Sequence, residues 1–233
     1  MGRRKRGVQK VNMVSILRTT TFSLAWVIFA IVASPLAMDE TDLDQLLTNK
    51  NCPKCDLSSA NLSGTNLIGA NLSGANLENT KFIRANLWRV DLTGANLTGA
   101  DLTGANLRDT KLSRANLTQA ILAGANLKYA TANKTLLQEA NLHRANLLQA
   151  DLRSADLSNA DLSGAYLAGA NLQNSIITGI ILKNTSLNGA NLQHVDLTDL
   201  DLASTNLRNA KLRGAMFCRT QTAWGQDDTS CKE

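Results

Sequence analysis

The chain has 233 residues, with 24 basic and 19 acidic side chains and a formal net charge of +5. Six of the basic residues and none of the acidic ones lie in residues 1–37, so the remainder is close to neutral. A nucleic-acid-binding surface needs clustered positive charge on the folded body. The composition therefore gives no support to nucleic acid as a partner.

Residues 1–37 have the pattern of a targeting segment. Basic residues precede an apolar run from Phe22 to Val32, and small residues lead to Ala37. We predict a signal peptide cleaved after Ala37, with an uncleaved N-terminal signal anchor as the alternative. The run is shorter than the roughly 20 residues that span a bilayer. Met13 is a second possible start of the chain. We expect an exported protein, with a membrane-anchored one as the alternative, and membrane contact only through an uncleaved leader.

Residues 38–54 are predicted to form a capping helix followed by a CxxC segment. Thr41 is the expected N-cap residue, with Asp44 at the third helical position. Leu43, Leu46 and Leu47 share one helical face. We expect this face to cover the open first turn of the domain that follows.

Residues 55–217 are a five-residue repeat of Ala, Asn or Asp, Leu and two small or polar residues. A central apolar residue recurs at every fifth position from Leu57 to Phe217 without an insertion, and only Ala132 is not Leu, Ile or Phe. Helices bring residues onto one face every three or four positions and strands every two, so this period fits neither. A short period held over many copies is typical of a solenoid.

The repeats of this chain resemble those of the pentapeptide repeat proteins. The resemblance implies an all-β fold, a right-handed quadrilateral parallel β-helix with one repeat per side, twenty residues per coil and a short N-terminal capping helix. It also implies that the central residue and the Ala-type residue two positions earlier point inward. Exported relatives share the segment C-P-x-C-D-L, found here at residues 52–57.

Four cysteines lie at the ends of this solenoid, at Cys52, Cys55, Cys218 and Cys231. A rigid rod of about eight coils at about 4.8 Å each separates the two pairs, so only 52–55 and 218–231 can join within one chain. An exported protein favours structural disulfides. A redox-active CxxC pair, free thiols and a metal site are the alternatives.

Residues 218–233 end the repeat and are predicted to form a C-terminal cap. We expect a loop tied by the cysteines, with Trp224 folded over the last coil.

Two segments depart from the repeat composition while keeping its phase. Residues 131–139 place Ala132 at a centre, Thr135 inside and Leu136 outside. Residues 175–182 place Ile176 and Ile181 outside and Ile180 inside. We interpret both as ordinary drift rather than as a bulge or an adhesive patch.

No catalytic, cofactor-binding or metal-binding constellation occurs in the sequence. A nucleophile elbow, a phosphate-binding loop and a zinc-protease motif are absent. Asp replaces Asn freely before the central Leu, so these carboxylates belong to the repeat. We predict a non-enzymatic extracytoplasmic scaffold, in a periplasm or, as the resemblance implies, a thylakoid lumen. The alternatives are a DNA-mimic inhibitor of a nucleic-acid-binding protein and a CxxC-dependent redox protein.

One side of the predicted rod is the candidate binding face for a protein partner of unknown identity. Positions twenty apart stack, and aromatic residues beside Arg are typical of interfaces. The face consists of Ile68, Trp88, Arg89, Arg108, Lys128, Tyr129, Leu148 and Tyr166. The competing interpretation is random surface decoration, with basic stems lying over the rings.

Overall fold

A computed structural model describes residues 39–231 of the chain. The predicted leader and its cleavage site lie outside these residues. Parallel bridges join each side of the solenoid to a residue twenty positions later, beginning with Asn51 and Asn71. The next bridges start at Asp56, Asn61 and Asn66, so each coil has four sides. This is the parallel solenoid that the five-residue period predicts.

A single repeat, residues 96–100, explains why five residues make one side. Leu97 points inward and its N–H donates to Asn116 O of the next coil at 2.6 Å. Gly99 has a φ of 65°, which lets the chain turn so that Ala100 N–H donates to Leu97 O at 3.0 Å. The Asn96 side-chain oxygen accepts from Thr98 N–H at 3.2 Å. An Asp oxygen does the same in other repeats, which accounts for the exchange of Asn and Asp.

The core is a continuous column of central Leu residues with Ala residues at the corners. Leu102 and Ala105 are both completely buried. The first irregular segment fits the column, because Ala132 and Thr135 are buried and Leu136 is outside. A Thr at a corner stays satisfied because its hydroxyl reaches a carbonyl of the previous coil, as Thr135 does with Leu112 O at 2.8 Å.

The ladder extends beyond the predicted limits of 55 and 217. Asn51 already bridges to Asn71, and Cys52 occupies a central position and is completely buried. At the other end Asp201 bridges to Gln221, and Thr220 occupies a buried corner. Cys52 and Thr222 stand at centre positions where Leu, Ile or Phe is usual, so the limits predicted from composition were too narrow at both ends.

Helix α1 covers Glu40–Asn49 and begins one residue before the predicted N-cap. Asp39, not Thr41, is the N-cap residue, because its carboxylate accepts from Thr41 N–H at 2.8 Å. Leu46 is completely buried in the core cluster, and Leu43 packs against that cluster. Leu47 is 53% exposed, so the prediction that it shares the buried face was wrong.

The prediction that Asp44 is the third helical residue was also wrong. With the helix starting at Glu40, the third residue is Asp42. Its carboxylate accepts from Asp56 N–H at 2.7 Å, which joins α1 to the first repeat.

The C-terminal segment forms a two-stranded antiparallel hairpin of β1 (Thr220–Thr222) and β2 (Gly225–Asp227). Trp224 lies in the turn and is 94% exposed, so the prediction that it folds over the last coil was wrong. A cavity of about 970 Å³ lies between the hairpin and the end of the solenoid, with Leu207, Leu212 and Phe217 in its wall.

The second irregular segment is more than drift. Ile180 is buried, and Ile176 and Ile181 are 53% and 50% exposed, as the repeat phase predicts. However, Ile176 and Ile181 do not bridge to the following coil, whereas their neighbours Ser186 and Asn191 do.

No helix among residues 39–231 is long and apolar enough to cross a membrane.

Candidate protein-binding face

Four sides run along the solenoid, and we name them by their central residues. Side A has centres at 57, 77 and every twentieth residue thereafter, and side B has those that start at 62. Side C has those that start at 67, and side D those that start at 72. Sides A and C are opposite each other in the order of the chain around a coil.

The predicted face lies on side C, where stacking brings most of its residues together. Trp88 follows the centre Leu87 and is half-buried, and Arg89 beside it is exposed. Arg108 and Lys128 continue the column in the next two coils. Ile68 and Leu148 extend it at its two ends and are half-buried.

Trp88 is held in place by polar contacts as well as by packing. The Arg89 guanidinium lies 4.6 Å from the centre of the Trp88 ring. The Trp88 Nε1–H donates to the Asp109 carboxylate at 3.0 Å. The same carboxylate lies 3.3 Å from Arg108 Nε. A tryptophan fixed in this way loses little side-chain entropy when a partner binds.

Tyr129 is the second aromatic residue at this place and is 39% exposed. We call the side C cluster the group of Trp88, Arg89, Arg108, Asp109 and Tyr129. The Arg108 guanidinium lies 5.4 Å from its ring centre, and Lys128 Nζ lies 5.6 Å away. Tyr166 is 45% exposed on the same side, where its backbone bridges to Asn146. No cation–π contact joins Tyr166 to the cluster among the described residues.

Asp109 was missed by the sequence argument. It occupies the position twenty residues after Arg89, so the stacking rule itself places it beside Trp88. It is the single acidic group in the cluster, and it links the ring nitrogen of Trp88 to the charge of Arg108.

The four sides differ strongly in charge. Between residues 55 and 217, side A carries acidic side chains and no basic one: Asp56, Glu78, Glu139, Asp156, Asp196 and Asp199. Side D carries Lys111, Arg114, Lys134, Arg153, Lys211 and Arg213 against Asp91 and Asp151. Side C has one acidic residue and four basic ones, Arg89, Arg108, Lys128 and Arg208. The net charge of the block conceals this separation.

Both cysteine pairs are disulfides in the structure, Cys52–Cys55 and Cys218–Cys231. Cys52 is completely buried and Cys55 is 5% exposed, whereas Cys231 is exposed. Exchange with another thiol requires access to a sulfur atom. Burial therefore opposes a redox role for the CxxC pair. Asp42 lies within 4.8 Å of both sulfurs, but sulfurs joined to each other are not thiolate ligands.

The sequence profile of the family described as Pentapeptide repeats matches the chain in overlapping segments from residue 46 to residue 220. The chain belongs to the pentapeptide repeat family. Comparison with curated protein sequences finds no match.

Several solved pentapeptide repeat structures are similar to this chain. HetL, involved in heterocyst differentiation regulation in the cyanobacterium Nostoc sp. strain PCC 7120, is 33% identical over 75% of this chain and 86% of its own, with a TM-score of 0.35. QnrB1, a plasmid-mediated fluoroquinolone resistance protein, is 25% identical over 70% of this chain and 79% of its own, with a TM-score of 0.53. AT2G44920, from the Arabidopsis thaliana thylakoid lumen, is 28% identical over 53% of this chain and 73% of its own, with a TM-score of 0.28. The family match and the similarity to QnrB1 together imply a right-handed β-helix.

Proposed function

We propose that this pentapeptide repeat protein is an exported, non-enzymatic scaffold that binds a protein partner through side C. The observation that carries the proposal is the cluster of Trp88, Arg89, Arg108, Asp109 and Tyr129. Two aromatic rings, two guanidinium groups and a carboxylate are held together there on a parallel ladder. Aromatic residues and Arg fixed in this way are the residue types that dominate interface energies.

Rigid presentation is the physical advantage of this face. Each backbone segment that carries a cluster residue is bonded to the next coil, as Arg89 N–H is to Arg108 O at 3.0 Å. Little ordering entropy is therefore lost when a partner binds. Ile68 and Leu148 add apolar area at the two ends of the cluster.

Capture of a partner from an extract of the native organism tests the proposal. We expect Trp88→Ala with Arg108→Ala to fold normally and to lose the captured protein. The matched control is Thr98→Ala with Gln138→Ala, which changes the same repeat position on side A. Equal capture by the two double variants would show that side C is not the binding face.

Export is proposed from the leader and the disulfides. A positive N-terminal region precedes an apolar run in residues 1–37. Two disulfides are stable in an oxidising compartment such as a periplasm or a thylakoid lumen. N-terminal sequencing of protein from fractionated native cells tests this. A mature chain that starts near residue 38 outside the cytoplasm is the expected result, and an intact N-terminus in the cytoplasm contradicts it.

The ends of the ladder are proposed to be covered by α1 and by the C-terminal hairpin. Open ladder edges promote edge-to-edge association unless they are blocked. Leu46 supports this role for α1, because it enters the core cluster. Removal of residues 39–49 should therefore produce concentration-dependent association in sedimentation velocity. A variant that sediments like the full chain at every concentration would leave α1 without a capping role.

DNA mimicry is the second candidate, and side A is the observation that favours it. It carries six acidic side chains and no basic one between residues 55 and 217. The other three sides are not acidic overall, and a competitor for a phosphate-binding groove needs extended negative charge. The scaffold proposal therefore ranks first. Retained partner capture after Glu139→Lys with Asp156→Lys is expected, and its loss would favour mimicry.

A further inference from the structure

One junction between neighbouring coils lacks its ladder on two adjacent sides. It lies between the coil of residues 172–191 and the coil of residues 192–211. Two bridges are missing there: Ile176 to Asp196 on side A and Ile181 to Asp201 on side B. Asp196 and Asp201 nevertheless bridge onward to the following coil, so the interruption is confined to this junction.

The missing bridges leave backbone N–H groups unpaired. Five of them have no backbone acceptor among the described residues: those of Ile177, Gly179, Leu182, Asp196 and Asp201. Asn184 N–H donates to the Ser204 hydroxyl at 3.0 Å instead of to a carbonyl. The equivalent amides one coil earlier, such as Leu157 and Leu162, donate normally at 2.8 and 2.9 Å.

The same two coils stay joined on the other two sides. On side C, Leu187 N–H donates to Asn206 O at 2.8 Å. On side D, Lys211 N–H donates to Ala190 O at 2.8 Å. The junction is therefore bonded along one half of its perimeter and open along the other half, which is the geometry of a hinge.

Corner volume explains where the junction opens. Ile180 and Leu200 stack directly at the corner between sides A and B, in the place that Ala occupies one coil earlier at Ala160. Interiors are close-packed, so two large side chains in consecutive layers push the layers apart. Val90 and Thr110 stack at another corner, and there Leu92 N–H still reaches Lys111 O at 2.8 Å. Two stacked corner residues can therefore have the combined volume of Val and Thr without opening the ladder, but not that of Ile and Leu.

Buried polar groups inside the opening need water. Ser175 is 5% exposed, and its hydroxyl has no hydrogen-bond partner among the described residues. Its carbonyl oxygen also lacks the N–H of Asp196 that the ladder would supply. Unpaired buried groups of this kind are usually satisfied by ordered water.

We propose that the junction is a hydrated hinge, created by the stacking of Ile180 on Leu200. Residues 192–231 open from the preceding coils along sides A and B while sides C and D remain bonded. Opening exposes the apolar walls of the junction, Ile177 and Leu182, next to the already exposed Ile176 and Ile181. The hinge thus joins a rigid rod, which carries the side C cluster, to a separately moving C-terminal part.

Residue-resolved hydrogen exchange of the oxidised full chain tests the hinge. The amides of Ile177, Gly179 and Leu182 should exchange on the order of 100-fold faster than those of Leu157, Asn159 and Leu162, because local opening exposes them without global unfolding. Equal protection of the two sets would overturn the proposal.

A variant copied from another corner of the same chain tests the cause. Ile180→Val with Leu200→Thr reproduces the Val90 and Thr110 pair, and it should restore slow exchange at the junction. Fast exchange in this variant, with an unchanged circular dichroism spectrum, would overturn the corner mechanism.

The reciprocal variant is Val90→Ile with Thr110→Leu. It should accelerate exchange of the Leu87, Arg89 and Leu92 amides, which flank that corner and are bonded to the next coil in the parent. Unchanged exchange in a folded protein would also count against the mechanism. If this variant does not fold, hydrogen exchange in the Ile180→Val with Leu200→Thr variant alone tests the corner mechanism.

Discussion

The two ends of the solenoid are both tied by a disulfide, but only the N-terminal end buries its core. There Leu46 of α1 is completely buried and Cys52 fills a central position. At the C-terminal end Leu207, Leu212 and Phe217 stay half-buried beside a cavity. A disulfide fixes the end of the chain without covering apolar surface, whereas a helix that inserts a side chain into the core does both.

Truncation of a central Leu should give the largest effect and should depend on distance from the open end. Leu102→Ala is expected to destabilise the protein by about 2–5 kcal/mol, because the closed column cannot collapse around the cavity. Leu212→Ala should cost distinctly less, because that side chain is only partly buried. Urea unfolding measures both. Equal losses would mean that the C-terminal end is covered in solution.

Truncation of Leu46 in α1 should destabilise the protein, whereas truncation of the adjacent Leu47 should not. Leu46→Ala is expected to cost about 2–5 kcal/mol, because Leu46 is completely buried. Leu47→Ala is the matched control, and it should change stability by less than about 0.5 kcal/mol, as is usual for a surface substitution. Thermal unfolding followed by circular dichroism checks the pair. A comparable loss from both would place Leu47 in the core after all.

The two disulfides should differ in their accessibility to a reductant. Under native conditions a dithiol should reduce Cys218–Cys231 first, because Cys231 is exposed and the sulfurs of Cys52 and Cys55 are buried. Mass spectrometry after alkylation follows each pair over time. Earlier reduction of the N-terminal pair would restore the redox interpretation that burial opposes.

The interior of the rod could be predicted from the sequence because its period fixes the direction of every side chain. A centre is inside wherever it occurs, which is why even Ala132 is buried. The ends could not be predicted in the same way. No period constrains the chain near Trp224, and the N-cap preferences of Asp and Thr are too similar to distinguish Asp39 from Thr41.

The contacts of the candidate face were only partly predictable. Stacking at twenty residues placed Trp88 above Arg108, but the link through Asp109 required side-chain geometry. The junction had a signal in the sequence, since Leu200 lies twenty residues after Ile180. The sequence alone could not show that this pair interrupts the ladder. The volume that a corner tolerates follows only from the intact ladder beside Val90 and Thr110.

The smallest expected effect concerns acid and again separates the two ends. Hydrogen bonds from the Thr41 side chain and then its N–H lower the pKa of Asp39 at the start of α1. The hydrogen bond from Arg219 lowers the pKa of Asp199 near the C-terminal hairpin. A carboxyl whose folded pKa lies below its unfolded value of about 3.9 stabilises the fold above that value. This stability is lost as the pH falls through the folded pKa.

Thermal unfolding between pH 7 and pH 3 of the parent, Asp39→Asn and Asp199→Asn measures these contributions. Asn keeps the side-chain oxygen that caps the helix but has no charge to lose. The small melting difference between each variant and the parent should therefore be constant near neutrality and should shrink as the pH falls below about 4. Asp44→Asn, within α1, controls for the general loss of a negative charge from the helix. A difference that is unchanged at low pH would mean that neither ionised carboxylate supports its end of the rod.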